Sequence, residues 1–207
     1  MRTVAATAAA QTLTAEALAS NAVIARGLKN HDAQLLDLLI EQYQHRLLRY
    51  LLFLTGQRDL AEDLFQETWM RVLTRGTQYD GRARFDTWLF TIARNLVIDN
   101  SRKRRVASLD EMTENSEDAQ AFEIASNAPS PLDHLRAGEQ HAQLAEVLLQ
   151  LDSSYREVLT LRFHEEMSLD EIAAVTRAPL STVKSRLYRG LAALRPHLES
   201  IQHGEAQ

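Results

Sequence analysis

The 207-residue chain contains no cysteine. That excludes disulfides and thiolate metal ligands and fits a reducing compartment. It also lacks any uninterrupted apolar run near the roughly 20 residues that a membrane-spanning helix needs. Alternating β-branched runs around Asn-Gly or Asp-Gly turns are missing, which removes the usual hairpin signal. There is no internal repeat, no phosphate-binding glycine loop and no nucleophile elbow. The histidines (His31, His45, His134, His141, His164, His197 and His203) are scattered. His164-Glu165-Glu166 lacks the second histidine of a zinc-protease helix. Glu62, Asp63 and Glu67 are acidic neighbours, but no cluster on a second helix completes a metal site. These absences argue against an enzyme, and no cofactor or metal is expected.

What is present is ordinary globular material, 45% hydrophobic and 25% charged. Apolar residues recur at helical spacing, which predicts an all-α protein of two small domains. Residues 1–30, rich in alanine and threonine at the start, are expected to form a weakly ordered extension rather than a signal peptide, with a transit-like or helical tail as the alternative. Residues 31–105 form the first predicted domain. Gly56 breaks its helical run, Asp59 is the expected cap of the next helix, and Gly76 with Asp80-Gly81 marks a loop. Asp86 is read as the cap of a helix starting at Thr87. Residues 106–132, acidic and proline-containing, read as a flexible linker. Residues 133–199 make a second domain, a four-helix unit containing a helix-turn-helix, and 200–207 a polar tail.

Net charge is −5, which by itself argues mildly against nucleic-acid binding. Its distribution points the other way, because a contact surface responds to the local field. Arg102, Lys103, Arg104 and Arg105 form one basic block. Arg177, Lys184, Arg186, Arg189 and Arg195 form another, uninterrupted by acidic residues. Between them the chain is acidic.

The sharpest local pattern is MSLDEIAAVTRAPLSTVKSRLYRGLAALRPHL, residues 167–198. Ser168 and Glu171 have capping-box spacing, with Met167 and Ile172 placed as a hydrophobic staple. Arg177-Ala178-Pro179-Leu180 is a short turn, after which Ser181 is expected to cap a second helix. Val183, Leu187, Gly190, Leu191 and Leu194 fall on one stripe, and Pro196 is expected to end or strain the helix. Thr182, Ser185, Arg186 and Arg189 share one flank, with Lys184 and Tyr188 on the other. Two short helices so joined suit a recognition helix in a major groove, Arg and Lys reaching guanine edges or phosphates. The preceding helix, about 153–164, is expected to bury Tyr155, Val158, Leu159 and Arg162 with Leu144, Val147, Leu148 and Leu151.

In DLAEDLFQETWMRVL, residues 59–73, positions 61, 64, 65, 68, 69, 72 and 73 form an apolar stripe. Asp63, Gln66, Glu67 and Met70 lie opposite, either as solvated surface or as a docking face to which methionine adapts. FDTWLFTIARNLVIDNSRKRR, residues 85–105, ends in the first basic block. The loop before it offers Tyr79, Arg82 and Arg84, which combine charge and an aromatic ring as single-stranded nucleic acid requires. Tyr79 reads equally well as core, and Phe85 is expected to be buried.

These motifs, in this order, resemble a group 4 (extracytoplasmic-function) member of the sigma-70 family. DLAEDLFQETWMRV is similar to the family's polymerase-binding helix, and the resemblance implies that Asp63, Gln66 and Glu67, with Met70, contact core RNA polymerase through its β′ subunit, with β as a further partner. FDTWLFTIARNLVIDNSRKRR resembles the −10 recognition and melting region. By that resemblance the 76–84 loop accepts a flipped base near Asn95, and Arg94, Arg102, Lys103 and Arg105 hold promoter DNA. EIAAVTRAPLSTVKSRLYRGLAALR is similar to the −35 reader, implying contacts from Arg177, Ser181, Thr182, Lys184, Ser185, Arg186 and Arg189. An anti-sigma protein and a cytoplasmic location are further implications. The chain departs from the family's habit at Leu151-Asp152, where Leu-Pro is frequent, and at Arg177-Ala178, where a glycine is common. Two other functions fit parts of the pattern. A polymerase-independent helix-turn-helix regulator would explain 167–198 alone, and a helical interaction module would make the basic faces incidental.

Overall fold

The computed structural model describes residues 20–111 and 147–204, with side chains for 20–104 and 147–196. Among these residues every regular element is helical: α1 (Asn21–Lys29), α2 (Ala33–Thr55), α3 (Arg58–Arg75), α4 (Phe85–Glu111), α5 (Ser153–Leu159), α6 (Leu169–Thr176) and α7 (Leu180–Gly204). A 3-10 turn, Gly76–Gln78, follows α3, and a π-helical turn, Thr160–His164, follows α5. The all-α expectation holds.

Part of the segment expected to be weakly ordered is α1. Ile24 and Leu28, one turn apart, are both buried. A Cβ on Gly76 would lie 3.2 Å from Leu28 Cβ, so the helix is held tightly against the 3-10 turn. Nine residues with two apolar anchors are too short to be stable in isolation, and the packing supplies what periodicity could not reveal. Residues 1–19 lie outside the described residues.

The Asp32 side chain starts α2 by accepting from the backbone N–H groups of Gln34 and Leu35, at 3.0 and 3.2 Å. Leu35, Leu39, Tyr43, Leu47, Tyr50 and Leu51 form its buried face. Gly56, at φ 65°, closes it in the left-handed conformation that glycine adopts without strain. The next helix does not use Asp59 as its cap. α3 begins at Arg58 with Gln57 in the cap position, and Asp59 lies in the first turn, where a carboxylate still favours the helix dipole. Its buried stripe is narrower than expected, because Leu73 is 42% exposed. α4 likewise starts at Phe85, one residue before Asp86 was expected to cap it. Asp86 is buried in the first turn and paired with Arg84 Nη2 at 2.6 Å. With no glycine or proline from 106 to 111, α4 runs to Glu111, into the stretch expected to be linker. Residues 112–132 of that linker lie outside the described residues.

Tyr50 and Phe90, both fully buried, meet edge to face at 4.9 Å and join α2 to α4. In the C-terminal half, Asp152 caps α5, accepting from the Ser154 backbone at 2.8 Å and its hydroxyl at 2.6 Å. Val158, Leu159 and Leu148 are buried as expected, whereas Arg162 is exposed and donates to the Met167 carbonyl at 2.9 Å. A long cationic side chain remains at the surface when only one backbone acceptor is offered. Leu144 lies outside the described residues. The capping box forms: Ser168 Oγ accepts from the Glu171 N–H, and Glu171 Oε2 accepts from the Ser168 N–H at 2.8 Å. Met167 and Ile172 are both buried at the staple positions.

Arg177 ends α6 at φ 51°, a conformation in which a side chain costs about 1–2 kcal/mol relative to the right-handed region. The next helix begins at Leu180, so Ser181 lies within its first turn rather than capping it. Gly190 permits the close crossing of α7 on α5, since a Cβ there would lie 2.9 Å from Leu159 Cδ1. Instead of ending near Pro196, α7 continues through it to Gly204. Proline's fixed φ is compatible with a helix that gives up one backbone hydrogen bond.

Two caps make the C-terminal half acid-sensitive. The Ser154 hydroxyl, then its backbone N–H, hold the Asp152 carboxyl below its ordinary value. Burial alone would raise Glu171, but hydrogen bonds from Ser168 and the charge of Arg84 outweigh it and lower the group. A carboxyl lowered in the folded state contributes stability above its unfolded pKa, about 3.9–4.3, and loses it as pH falls through the folded value. Chemical denaturation is therefore expected to show a stability loss below about pH 4. Asp152→Ala should lower stability at pH 7 by about 1 kcal/mol and flatten that acid slope.

Candidate docking and nucleic-acid interfaces

α3 buries Ala61, Leu64, Thr68, Trp69 and Val72 against the core. That leaves Asp63, Gln66, Glu67 and Met70 exposed on the far side. Their i, i+3, i+4, i+7 spacing makes one continuous strip. Glu67 accepts from Arg71 Nη2 at 2.9 Å, an exposed pair that orders the carboxylate without neutralising the strip. Met70 is 57% exposed, and Leu73, one turn on, extends the apolar end. The surface thus grades from acidic to apolar along the helix.

Around the start of α4 the expected −10 residues divide. Tyr79 is core: it is 4% exposed, its hydroxyl donates to the Ala83 carbonyl at 2.7 Å, and its ring packs on Phe85 and Trp88. Burial pushes its phenol pKa up, with Tyr43 and Asp86 adding to the shift. No base can stack on that ring in this structure. Phe85 is buried as expected. Arg82 is 91% exposed beside Asp80. Arg84 pairs with Asp86 and, at 3.5 Å, with Glu171 of α6. Arg94 is only 17% exposed and donates to Glu157 Oε1 at 2.7 Å. Arg102 and Lys103 are exposed on α4. The side chain of Arg105 lies outside the described residues.

Arg94 and Asn95 also line an open groove of about 400 Å³ with Arg71, Arg75, Ile98, Asp99 and Arg177. Arg71 and Arg75 were not singled out from the sequence, because they end a helix that reads as acidic. Their spacing of four was the available signal. A second groove, about 340 Å³, is lined by Ser181, Thr182, Ser185, Arg186 and Arg189 of α7, together with Ser154 and Tyr155 of α5. The structure therefore brings the expected −35 flank together and adds two α5 residues to it. Lys184 is exposed outside that groove, and Tyr188 is 69% exposed. Val183, Leu187 and Leu194 pack inward, whereas Leu191 is 37% exposed.

Comparison with known proteins matches these two halves separately. Residues 39–106 match the Sigma-70 region 2 model, and residues 141–194 match the Sigma-70, region 4 model. The ECF RNA polymerase sigma factor SigW of Bacillus subtilis is 30% identical over 165 residues, covering 79% of this chain and 88% of SigW. The chain belongs to the ECF sigma factors of the sigma-70 family. It is an alternative sigma factor, a DNA-binding protein of transcription initiation. A second sigma factor of the group, SigL of Mycobacterium tuberculosis, is 32% identical over 171 residues, covering 82% of this chain and 92% of SigL. In fold, this sigma factor resembles RpoE of Bartonella quintana, solved in complex with the anti-sigma factor NepR. The TM-score is 0.62 at 24% identity, over 77% of this chain and 94% of that one. Sigma factors are in general not enzymes. No helix among the described residues is long and apolar enough to cross a membrane.

Proposed function

We propose that residues 20–111 dock on core RNA polymerase and open the −10 element, while residues 147–204 read the −35 element. The α3 strip of Asp63, Gln66, Glu67 and Met70 meets the polymerase, β′ first and β as a further contact. Arg82, Arg84, Arg94, Asn95, Arg102, Lys103 and Arg105 hold the opened promoter. Thr182, Ser185, Arg186 and Arg189 face base edges and phosphates in the upstream major groove, with Arg177, Ser181 and Lys184 at the margins. The carrying observation is the pairing, on one chain, of an exposed acidic-to-apolar strip with a basic recognition helix whose polar flank lines a groove. A regulator acting without polymerase leaves the α3 strip without a role. An anti-sigma protein and a cytoplasmic setting belong to the same reading.

Reconstitution with core RNA polymerase and a library of promoter fragments tests it. Selective initiation is the expected result. Duplex binding with neither core association nor initiation would overturn it in favour of an independent regulator.

A further inference from the structure

The short helix α1 holds no residue assigned to polymerase or promoter, yet it is packed against the segment that leads into α4. Two contacts place it there. Leu28, near its end, covers Gly76 at the start of the 3-10 turn, where a Cβ would stand 3.2 Å from Leu28 Cβ. Its first turns meet the next loop. A Cβ on Gly81 would stand 3.0 Å from the Asn21 carbonyl oxygen and 3.4 Å from Ala25 Cβ. Gly81 also has φ 75°, in the left-handed region that glycine enters freely. The conformation is the loop's own, but the tight clearance is set by α1.

α1 is itself firmly seated. Ile24 and Leu28 are buried, and Gly27 leaves no room for a Cβ against Leu35 of α2. At 100° per residue, Asn21, Ala25 and Leu28 share the side that meets the turn and loop, while Ile24 lies on the adjoining side, in the core. Arg26 and Lys29 fall on the exposed side, in the last turn, where cations suit the helix dipole.

The loop has few ties of its own. The Tyr79 hydroxyl closes its base on the Ala83 carbonyl at 2.7 Å, and Asp80 Oδ1 accepts from the Arg82 N–H at 3.0 Å. Of residues 79–84 only Tyr79 is buried. The tip, Asp80-Gly81-Arg82, sends no side chain into the core, and such tips open most readily. Support from outside is needed, and α1 is the element in contact with Gly81.

We propose that α1 is the buttress of the 79–84 loop, its Asn21–Ala25–Leu28 side fixing Gly81 and, through it, Arg82 and Arg84. A binding constellation has to be held within about 0.5 Å of its productive geometry. Resting on the −10 role proposed above, capture of an unstacked base therefore depends on a helix that makes no base contact itself. Docking through α3 and duplex reading through α7 do not depend on it.

Three variants of the full-length chain separate support from direct contact. Leu28→Ala removes the packing on Gly76 and leaves the loop sequence intact. Gly81→Ala leaves α1 intact and sets a methyl group against the Asn21 carbonyl, at a φ that disfavours alanine by roughly tenfold. Arg26→Ala with Lys29→Ala strips the exposed cations and spares the buried side. Tryptic cleavage of the Arg82–Ala83 bond, followed by mass spectrometry, reads the loop without polymerase or DNA, since Arg82 is 91% exposed. Cleavage is expected to be at least roughly tenfold faster in the first two variants and unchanged in the third. With core polymerase and a promoter carrying a fluorescent adenine analogue in the −10 element, base unstacking is expected to slow by a similar factor in the same two. Core affinity stays at the wild-type level, and volume-conserving Leu28→Met restores both readouts. If Leu28→Ala loses core affinity through misfolding, Gly81→Ala, which replaces no buried residue, decides. Unchanged cleavage in the natively folded variants would overturn the buttress, as would equal loss of unstacking in the Arg26 and Lys29 variant. Faster cleavage with unstacking unchanged would leave the buttress standing and count against the −10 role of the loop.

Discussion

Reversing the charge of the α3 strip with Asp63→Lys and Glu67→Lys is expected to weaken core polymerase binding by about 100-fold or more while the protein stays folded. Both side chains are exposed, so neither supports the core. Glu67 pairs with Arg71 across one helical turn, and such exposed pairs are worth only a few tenths of a kcal/mol. A central interface residue, in contrast, commonly costs 2 kcal/mol or more when lost. Two reversals that place repulsion where attraction stood should together exceed about 2.8 kcal/mol, which is a factor of about 100. Competition for fluorescently labelled core polymerase measures the affinity, and thermal melting checks the fold. Unchanged affinity in the double variant would remove α3 as the docking face. Loss of transcription with normal core association would point to a later step and sink the assignment equally.

A comparable loss is expected on the DNA side from Arg186→Ala with Arg189→Ala. The two guanidinium groups line the groove formed by α7 and α5, with Thr182 and Ser185 beside them. Each base or phosphate contact of this kind contributes about 1–3 kcal/mol, so the pair should weaken −35-dependent binding by roughly 30-fold or more. The companion variant Lys184→Ala tests a different contact. Lys184 projects outside the groove, which suits a phosphate, so its loss should weaken binding similarly on all sequences and lower the salt slope by about 1. Binding by the assembled holoenzyme to promoters with altered −35 bases separates the cases. Full retention of −35 discrimination in the double arginine variant would show that α7 is not the reader. Buried Val183 and Leu187 hold α7 in place, while Lys184 and Arg189 are exposed and Arg186 is half-buried, so alanine at these positions leaves the apolar packing of the helix intact.

Much of this protein is legible locally. The capping box of Ser168 and Glu171, the four exposed positions on α3 and the basic flank of α7 follow from spacing along one helix. A helix of 3.6 residues per turn converts such spacing directly into faces. The order of the two motifs, read with the family resemblance, led to the same family that the sequence comparisons show. Helix ends were less legible at Asp59, Asp86, Ser181 and Pro196, where the element began or continued a residue or more away from the expected signal. At Asp86 a neighbouring side chain holds the carboxylate, through its pair with Arg84.

What the amino-acid sequence determined by itself was most of the helices, α1 excepted, and the sides they expose. Tertiary structure alone decided what covers each side. Tyr79 reads equally well as a base-stacking ring or as core, and Phe85, Trp88 and the Ala83 carbonyl, which enclose it, decide for core. The family resemblance implies a DNA contact for Arg94, and in the structure it meets a carboxylate 63 positions along the chain. Glu157 and Glu165 are both buried, with partners on α4 and α2 more than 60 positions away along the chain. Periodicity records how one segment divides its own surface. It holds no information on which distant charge will stand opposite, because that depends on how separate helices pack.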